Sequence, residues 1–298
     1  MTRNVSVLCR SRLLHTICAA LGLFALAASS ARAQEIVFQK DIEYANPDDQ
    51  HMMVDMAWPK DLSKGPFPAV LCIHGGGFRA GDRHGYDGLV QELAKRGYVA
   101  ATVEYRLAPK YPFPDAVYDV KACVRWLRGN ARRFHINPHK IGVTGGSAGG
   151  HLAQFLGVTP DIKEFEGNEG FPKVSSAVQV VVNQYGPSDF TKSYGKSVDA
   201  AEVLPLWLGG DLKTALPRHI QSSPLNWVNP HAAPTLIIHG TKDNYVAYEQ
   251  AIWMYDRLKA CGVECELLTM EGAGHGFGGE TAKKADAAMF AYFDKYLK

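Results

Sequence analysis

The chain has 298 residues, of which 46% are hydrophobic and 21% charged, a globular composition with enough apolar material for one sizeable core. The formal charge of +2 is small and the Lys and Arg residues are scattered, which argues against nucleic acid or an anionic membrane as a partner. No spacing of Cys and His suggests zinc and no phosphate-cradling motif is present, so we predict no metal and no cofactor.

Residues 1–33 differ from the rest of the chain and predict an export signal. Arginines precede an apolar run over 17–28, and Ala31 and Ala33 supply the small residues that a signal peptidase reads. The run is short for a membrane span, although an uncleaved anchor is the alternative. Cleavage would leave a secreted or periplasmic protein that begins at Gln34 and has no contact with the membrane. Because residues 1–33 hold four arginines and no acid, 28 basic and 30 acidic residues would remain, a formal charge of −2.

Four cysteines follow this segment. Cys72 and Cys123 sit in apolar stretches, which predicts buried core thiols. Cys261 and Cys265 flank a turn at Gly262, and in an oxidising compartment they could form a bridge. The sequence does not distinguish a disulfide bridge from two free thiols at this pair.

Short apolar runs then alternate with amphipathic stretches. The predicted strands are 36–44, 52–57, 68–73, 98–104, 140–144, 177–184, 234–239 and 264–270. Helical periodicity is clear over 114–129, 246–260 and 281–297. Several strands are continuous runs of Val, Ile and Leu, typical of strands buried on both faces. We therefore predict a single α/β domain over 34–298, with a mostly parallel sheet flanked by helices.

Two stretches interrupt this alternation, at 157–175 and 186–232. The second is long for a connection and has its own apolar patch over 203–208. We predict that 186–232 forms a small lid. As an alternative to a small acyl site, Leu204, Trp207 and Leu208, or Trp253, could line a wider apolar acyl pocket.

The clearest chemical motif is Gly-Gly-Ser-Ala-Gly at 145–149. It follows a predicted strand and precedes a helical segment, and a serine on such a sharp turn is exposed at the edge of the sheet. Gly-x-Ser-x-Gly also occurs in phosphate loops, but no Gly-Lys-Ser/Thr ending supports that reading. The motif predicts that Ser147 is a nucleophile.

A second glycine-rich loop, His-Gly-Gly-Gly-Phe at 74–78, follows the third predicted strand. Acyl transfer builds an oxyanion, which needs preorganised N–H donors. We assign these donors to Gly76, Gly77 and Ala148, the last being the residue after the nucleophile. His74 is interpreted as a structural residue that braces the loop.

An acid and a base follow the last two predicted strands. Asp243 comes just after the strand 234–239, and His275 lies in a glycine-rich loop after the strand 264–270. Serine, acid and histidine in this order are typical of α/β-hydrolases. We predict that His275 takes the Ser147 proton and that Asp243 orients the imidazole.

Each assignment has an alternative. Asp243 could cap the following helix, and Asp189, after the preceding strand, is the main competitor for the acid. The Pro-Ser-Asp sequence that ends at Asp189 is turn chemistry, however. His151 and His239 are interpreted as structural.

The N-terminal half resembles the carboxylesterases related to hormone-sensitive lipase. The resemblance rests on 74–78, Tyr-Arg-Leu-Ala-Pro at 105–109, Phe-Pro-Asp-Ala at 113–116 with Asp119, and Gly-Ser-Ala-Gly-Gly at 146–150. In the C-terminal half, His-Gly-Thr-Lys-Asp at 239–243 stands where those enzymes usually have Asp-Pro-Leu. That motif, with 168–170, 185–189 and 272–276, is similar to the acetylxylan and feruloyl esterase-like (BD-FAE-type) branch.

The resemblance covers about residues 40–298 and implies an α/β-hydrolase fold with serine esterase chemistry. It implies a small-molecule or polysaccharide-linked ester as substrate, with acetyl or feruloyl esters of plant polysaccharide as candidates. The lid candidate 186–232 is modest in size and the sequence shows no long apolar helix to hold a fatty chain, so we predict short acyl groups, from acetyl to butyryl. The alternatives are an amidase or peptidase that uses the same residues, and a catalytically silent binding protein on this scaffold.

Overall fold

The structure is a computed structural model that describes residues 34–298. The predicted signal peptide, residues 1–33, lies outside the described residues. Within 34–298, no helix combines the length and the apolar character needed to cross a bilayer.

Eight strands form one sheet in the order β1-β2-β4-β3-β5-β6-β7-β8. β1 pairs antiparallel with β2, and β2 antiparallel with β4, whereas every pair from β4 through β8 is parallel. The strands are β1 (Ile36–Ala45), β2 (Met52–Pro59), β3 (Phe67–Ile73), β4 (Val99–Val103), β5 (Ile136–Gly146), β6 (Val180–Gln184), β7 (Thr235–Gly240) and β8 (Cys265–Met270).

Helices cover both faces of this sheet. They are α1 (Asp87–Lys95), α2 (Asp115–Gly129), α3 (Ala148–Val158), α4 (Ala200–Leu208), α5 (Leu216–Gln221), α6 (Glu249–Ala260) and α7 (Gly279–Leu297). Successive residues of β3 show these two helical layers. Leu71 belongs to a core cluster with residues of α2 and α3, and Cys72 belongs to a second cluster with residues of α1 and α7. The central strands are therefore buried on both faces, which explains their continuous apolar runs.

All eight predicted strands and the three predicted helices are present, with ends shifted by a few residues. The largest shift is at β5, which begins at Ile136 rather than at 140. Helix α1 was not predicted, because only Val90, Leu93 and Ala94 of its nine residues are buried and so short an apolar stripe gives little periodic signal.

The four described cysteines are free thiols. Cys261 follows the last residue of α6, and Cys265 is the first residue of β8. Their Sγ atoms contact two different carbonyl groups. Cys261 lies 3.9 Å from the oxygen of Val228 and Cys265 lies 3.7 Å from that of Tyr255. The structure therefore has two free thiols here and no bridge.

The parallel strands place every predicted site residue at one edge of the sheet. β3, β5, β7 and β8 lead directly into the loops that carry 74–78, Ser147, Asp243 and His275, respectively. Ligand sites in α/β proteins form at the carboxyl ends of such strands. The predicted lid, 186–232, follows β6 and contains α4 and α5.

Candidate active site

Ser147 occupies a sharp turn between β5 and α3. Its φ of 57° and ψ of −122° lie in a region of backbone conformation that residues other than glycine seldom adopt. Its N–H donates to the carbonyl oxygen of Gln184 at 3.0 Å. A Cβ on Gly149 would lie 2.0 Å from the carbonyl oxygen of Ile73. Only glycine therefore permits the close approach of α3 to β3 that fixes this turn.

Three predicted residues meet at this turn. The Nε2 atom of His275 lies 2.9 Å from the Oγ of Ser147, and its Nδ1 lies 2.8 Å from the Oδ2 of Asp243. Both distances are in hydrogen-bonding range, so serine, imidazole and carboxylate form one continuous chain. A histidine that donates from Nδ1 to a carboxylate leaves Nε2 free to accept the Ser147 proton.

The Asp243 carboxylate is fully buried and held as an anion. Burial by itself would raise its pKa, but hydrogen bonds from His239, His275 and the Val246 N–H outweigh burial and hold the pKa well below its usual range. The Oδ1 atom accepts from the N–H groups of Tyr245 and Val246 at 2.9 and 2.8 Å. The carboxylate is thus ionised and fixed in orientation.

His239 was interpreted as structural, and the structure gives it a specific position. Its Nε2 donates to the carbonyl oxygen of Val246 at 2.8 Å and lies 3.3 Å from the Oδ2 of Asp243. It therefore holds the turn that presents Asp243. The sequence signal for this support is the spacing of the two residues, since His239 lies in β7 only four residues before Asp243.

The competing acid, Asp189, has other partners. Its Oδ1 accepts from the N–H and the hydroxyl of Thr191 at 2.9 and 2.6 Å, and its Oδ2 lies 3.0 Å from the Nζ of Lys192. Within 34–298, the carboxylate that contacts His275 is that of Asp243. Asp189 caps a helical turn, as its sequence context indicated.

The glycine-rich loop and the start of α3 present unpaired N–H groups near Ser147. Within 34–298, the N–H groups of Gly76, Gly77 and Ala148 donate to no protein acceptor. At Gly76, φ is +119° and a Cβ would lie 2.1 Å from the carbonyl oxygen of Ala80, so the loop requires glycine there. The residues predicted to bind an oxyanion are therefore placed with their donors available.

His74 lies behind this loop. Its Nδ1 donates to the carbonyl oxygen of Gly75 at 2.8 Å, and its ring stacks on that of Tyr105 with centroids 4.3 Å apart. The Tyr105 hydroxyl in turn donates to the carbonyl oxygen of His74 at 3.0 Å. These contacts brace the loop without bringing the His74 ring to Ser147.

A buried aromatic cluster joins the glycine-rich loop, α3 and the predicted lid. Phe78 stacks on Trp207 of α4 with centroids 3.7 Å apart, and both rings pack against His151 of α3. His151 donates from Nδ1 to the carbonyl oxygen of Pro187, and burial lowers its pKa to about 3. His151 is therefore a neutral packing residue.

A narrow pocket with a volume of about 70 Å³ opens on one side of Ser147. Beyond Ser147, His275, Tyr245 and Val246, its lining is mainly small or apolar: Gly77, Phe78, Ala148, Pro187, Phe190, Ser193, Ser197, Asp199, Ala200, Val203 and Leu204. Of the four predicted lining residues, Leu204 faces the pocket, whereas Leu208 does not line it. Trp207 is buried beneath it, and Trp253 lies outside it, where Lys192 covers its ring at 4.7 Å.

An open groove with a volume of about 470 Å³ lies on the other side of Ser147. Its walls are more polar than those of the narrow pocket: Gly75, Gly76, Gly77, Arg79, Ala80, Tyr86, Gly146, Tyr185, Asp199, Tyr245, His275 and Gly276. The two cavities meet at Ser147 and His275. A molecule bound across the serine would thus have one small and one large part.

One other group of side chains within 34–298 could be considered for a metal. The ligand atoms of Asp55, His84 and Asp87 lie within 4.8 Å of one another. The Nε of Arg83 already lies 3.0 Å from Asp55, and the Nζ of Lys40 lies 2.5 Å from Asp87. Protein cations thus occupy the positions that a metal would need, and none of these residues reaches Ser147.

Comparison with known proteins places the chain in a family. The profile of the BD-FAE family matches residues 54–258. The chain is also similar to a protein named esterase LipC from Mycobacterium tuberculosis, with 31% identity over 276 residues, which cover 87% of this chain and 66% of LipC. The curated relatives that align over most of this chain are longer, and the chain spans about half to two thirds of their lengths.

Solved structures agree on the fold. A truncated carbohydrate esterase from gut microbiota superposes with a TM-score of 0.75 and 25% identity, covering 88% of this chain and 98% of its own. A propionate-bound thermophilic esterase, Est2 of Thermogutta terrifontis, gives a TM-score of 0.72 and 27% identity, covering 88% and 94%. The fold is that of α/β-hydrolases, as the sequence predicted.

Proposed function

The chain belongs to the BD-FAE family, and from that premise we propose that it is a serine carboxylesterase that hydrolyses short-chain acyl esters. The observation that carries the proposal is the chain of hydrogen bonds from Ser147 through His275 to Asp243, with distances of 2.9 and 2.8 Å. N–H groups without a protein acceptor lie beside the same serine, where they can stabilise the oxyanion that acyl transfer produces.

In the first half of the reaction, the Ser147 Oγ attacks the ester carbonyl carbon while its proton passes to the His275 Nε2. The carbonyl oxygen becomes an oxyanion, which accepts hydrogen bonds from Gly76, Gly77 and Ala148. When this intermediate collapses, the bond to the alcohol oxygen breaks and His275 gives its proton to the departing alkoxide. An acyl ester on Ser147 remains.

In the second half, a water molecule loses a proton to His275 and attacks the acyl carbon. The bond to the Ser147 Oγ breaks, the serine recovers its proton from His275, and a carboxylic acid leaves. Asp243 stays ionised throughout, because its pKa is held low by its hydrogen bonds. It thereby stabilises the imidazolium that forms in each half.

The narrow pocket supports a short acyl group. One water needs about 10–15 Å³ of such space, so a pocket of about 70 Å³ holds about five atoms. Phe190 and Leu204 line it, and both are nearly fully buried. We assign the acyl group to the narrow pocket and the bulkier alcohol to the open groove.

The acyl preference is tested by measuring kcat/KM on p-nitrophenyl esters from C2 to C16. We expect an optimum at about C2 to C4 with a graded decline, since each methylene changes discrimination by about 1–3 kcal/mol at most. Leu204→Ala should shift the optimum to longer chains by about two carbons, because it deepens the pocket. An optimum at C10 or longer in the wild type would overturn this preference.

Leu206→Ala is the matched control, since Leu206 lies on the same helix but is 37% exposed and does not line the pocket. It should leave the chain-length profile unchanged. A matched acetanilide in the same series tests the amidase alternative, because the same triad can cleave amides. A kcat/KM that is higher on the amide than on the ester would favour that alternative.

The alcohol part of the natural ester is proposed to be a sugar, as in acetylated plant polysaccharide. Two observations support this: the open groove accommodates a large polar group, and one structural neighbour is named a carbohydrate esterase. Release of acetate from acetylated xylan tests this proposal. Release of ferulate from methyl ferulate would contradict the assignment of the acyl group to the narrow pocket, because a feruloyl group is much larger than that pocket. Turnover of the p-nitrophenyl esters without either release would leave a general esterase.

A further inference from the structure

Tyr185 has an unusual backbone for an aromatic residue. Its φ of +44° lies in the left-handed region, where a bulky side chain is strained. The surrounding chain imposes this conformation, because the Tyr185 N–H donates to the carbonyl oxygen of Ile238 at 2.8 Å and the next N–H donates to Asn183 at 2.9 Å. Such strain persists where it positions a functional group.

The strained backbone directs the Tyr185 ring into the open groove. The ring packs edge-on between His275 and Phe277, with each centroid 5.0 Å away. Its hydroxyl lies 2.7 Å from the point that a Cβ would occupy on Gly146, the residue before Ser147. The hydroxyl is thus close to the nucleophile, on the side of the open groove.

A second tyrosine stands beside it. Tyr86, in the turn that precedes α1, lines the same groove. The Gly146 N–H donates to the Tyr86 oxygen, but within 34–298 neither the Tyr86 nor the Tyr185 hydroxyl donates to a protein acceptor, and both residues line the groove. Tyrosine hydroxyls that are largely buried normally find a partner, which points to a ligand as the missing one.

We propose that Tyr86 and Tyr185 form a leaving-group subsite that hydrogen-bonds hydroxyl groups on the alcohol part of the ester. The subsite favours esters of polyhydroxylated alcohols, such as sugars, over esters of alcohols that have no further hydroxyl. This inference rests on the proposed esterase function and adds the residues that select its leaving group. Arg79 and Asp199 at the groove wall supply further polar contacts for such a molecule.

The test compares kcat/KM of the purified protein on two acetate esters. One is a monoacetylated methyl xyloside, whose alcohol carries free hydroxyls, and the other is p-nitrophenyl acetate, whose alcohol carries none. We expect Tyr185→Phe and Tyr86→Phe each to lower kcat/KM on the acetylated xyloside by about tenfold, the effect of losing one hydrogen bond. On p-nitrophenyl acetate, both variants should stay within about twofold of the wild type.

Tyr118→Phe is the control variant, since Tyr118 lies outside the groove and its hydroxyl donates to the carbonyl oxygen of Glu164. It should leave the rates on both esters unchanged. Equal losses on both esters in Tyr86→Phe and Tyr185→Phe, or no loss on either, would overturn the subsite. A wild type that hydrolyses p-nitrophenyl acetate but not the xyloside overturns the subsite alone, whereas inactivity on both esters overturns the esterase proposal itself.

Discussion

Ser147→Ala is expected to lower kcat on p-nitrophenyl acetate by about a million-fold, the loss that removing the nucleophile of such a triad produces. The reason is geometric, since the Ser147 Oγ is the atom that the His275 Nε2 contacts at 2.9 Å. No bond to the acyl group can form without it. The measurement is steady-state hydrolysis with the purified variant and the wild type side by side.

The folded structure should survive this change, because alanine differs from serine by one oxygen and can adopt the same φ. Circular dichroism and the melting temperature report this directly. Residual activity within about tenfold of the wild type, in a folded variant, would contradict the assignment of the nucleophile.

Asp243→Asn is expected to lower kcat by about a thousand-fold or more. The amide would no longer favour the tautomer of His275 that leaves Nε2 free, and it would not stabilise the imidazolium. Because Oδ1 accepts two backbone N–H groups, the amide oxygen should keep that position and turn its NH₂ group toward His275. The comparison is kcat for Asp243→Asn against the wild type on the same ester.

Asp189→Asn is the matched control, since it makes the same chemical change at the competing carboxylate. Asparagine also caps helical turns well, and the lost ion pair with Lys192 is half exposed, so we expect a change of less than about threefold. If Asp189→Asn caused the larger loss, the acid would be Asp189 and the observed contact between Asp243 and His275 would be incidental.

The meeting of Ser147, Asp243 and His275 could be predicted from the sequence because backbone topology dictates their position. Ser147, Asp243 and His275 each follow a run of Val, Ile or Leu, and such runs form parallel strands that end at one edge of a sheet. The glycines at 74–78 and 145–149 were equally informative, since closely packed turns require residues without a Cβ. These signals are local in sequence.

The cavities could not be predicted, because their walls come from segments that are far apart in the chain. Trp207 and Phe78 are stacked with centroids 3.7 Å apart, although 128 residues separate them, and Leu204, on the same helix as Trp207, lines the pocket beside Ser147. Trp253 was a candidate for the same wall but lies outside the pocket, with the Nζ of Lys192 over its ring at 4.7 Å. The strained φ of Tyr185 likewise has no sequence signature, because it depends on contacts with neighbouring strands.

Labelling with a fluorophosphonate shows whether Ser147 is the residue that is acylated during turnover. Such a reagent phosphonylates an activated serine, and peptide mass spectrometry then identifies the modified residue. We predict a single adduct on the peptide that contains Ser147 in the wild type, lost in Ser147→Ala and strongly slowed in Asp243→Asn. An adduct on a different serine, or no adduct in an enzyme that hydrolyses p-nitrophenyl acetate, would contradict the account.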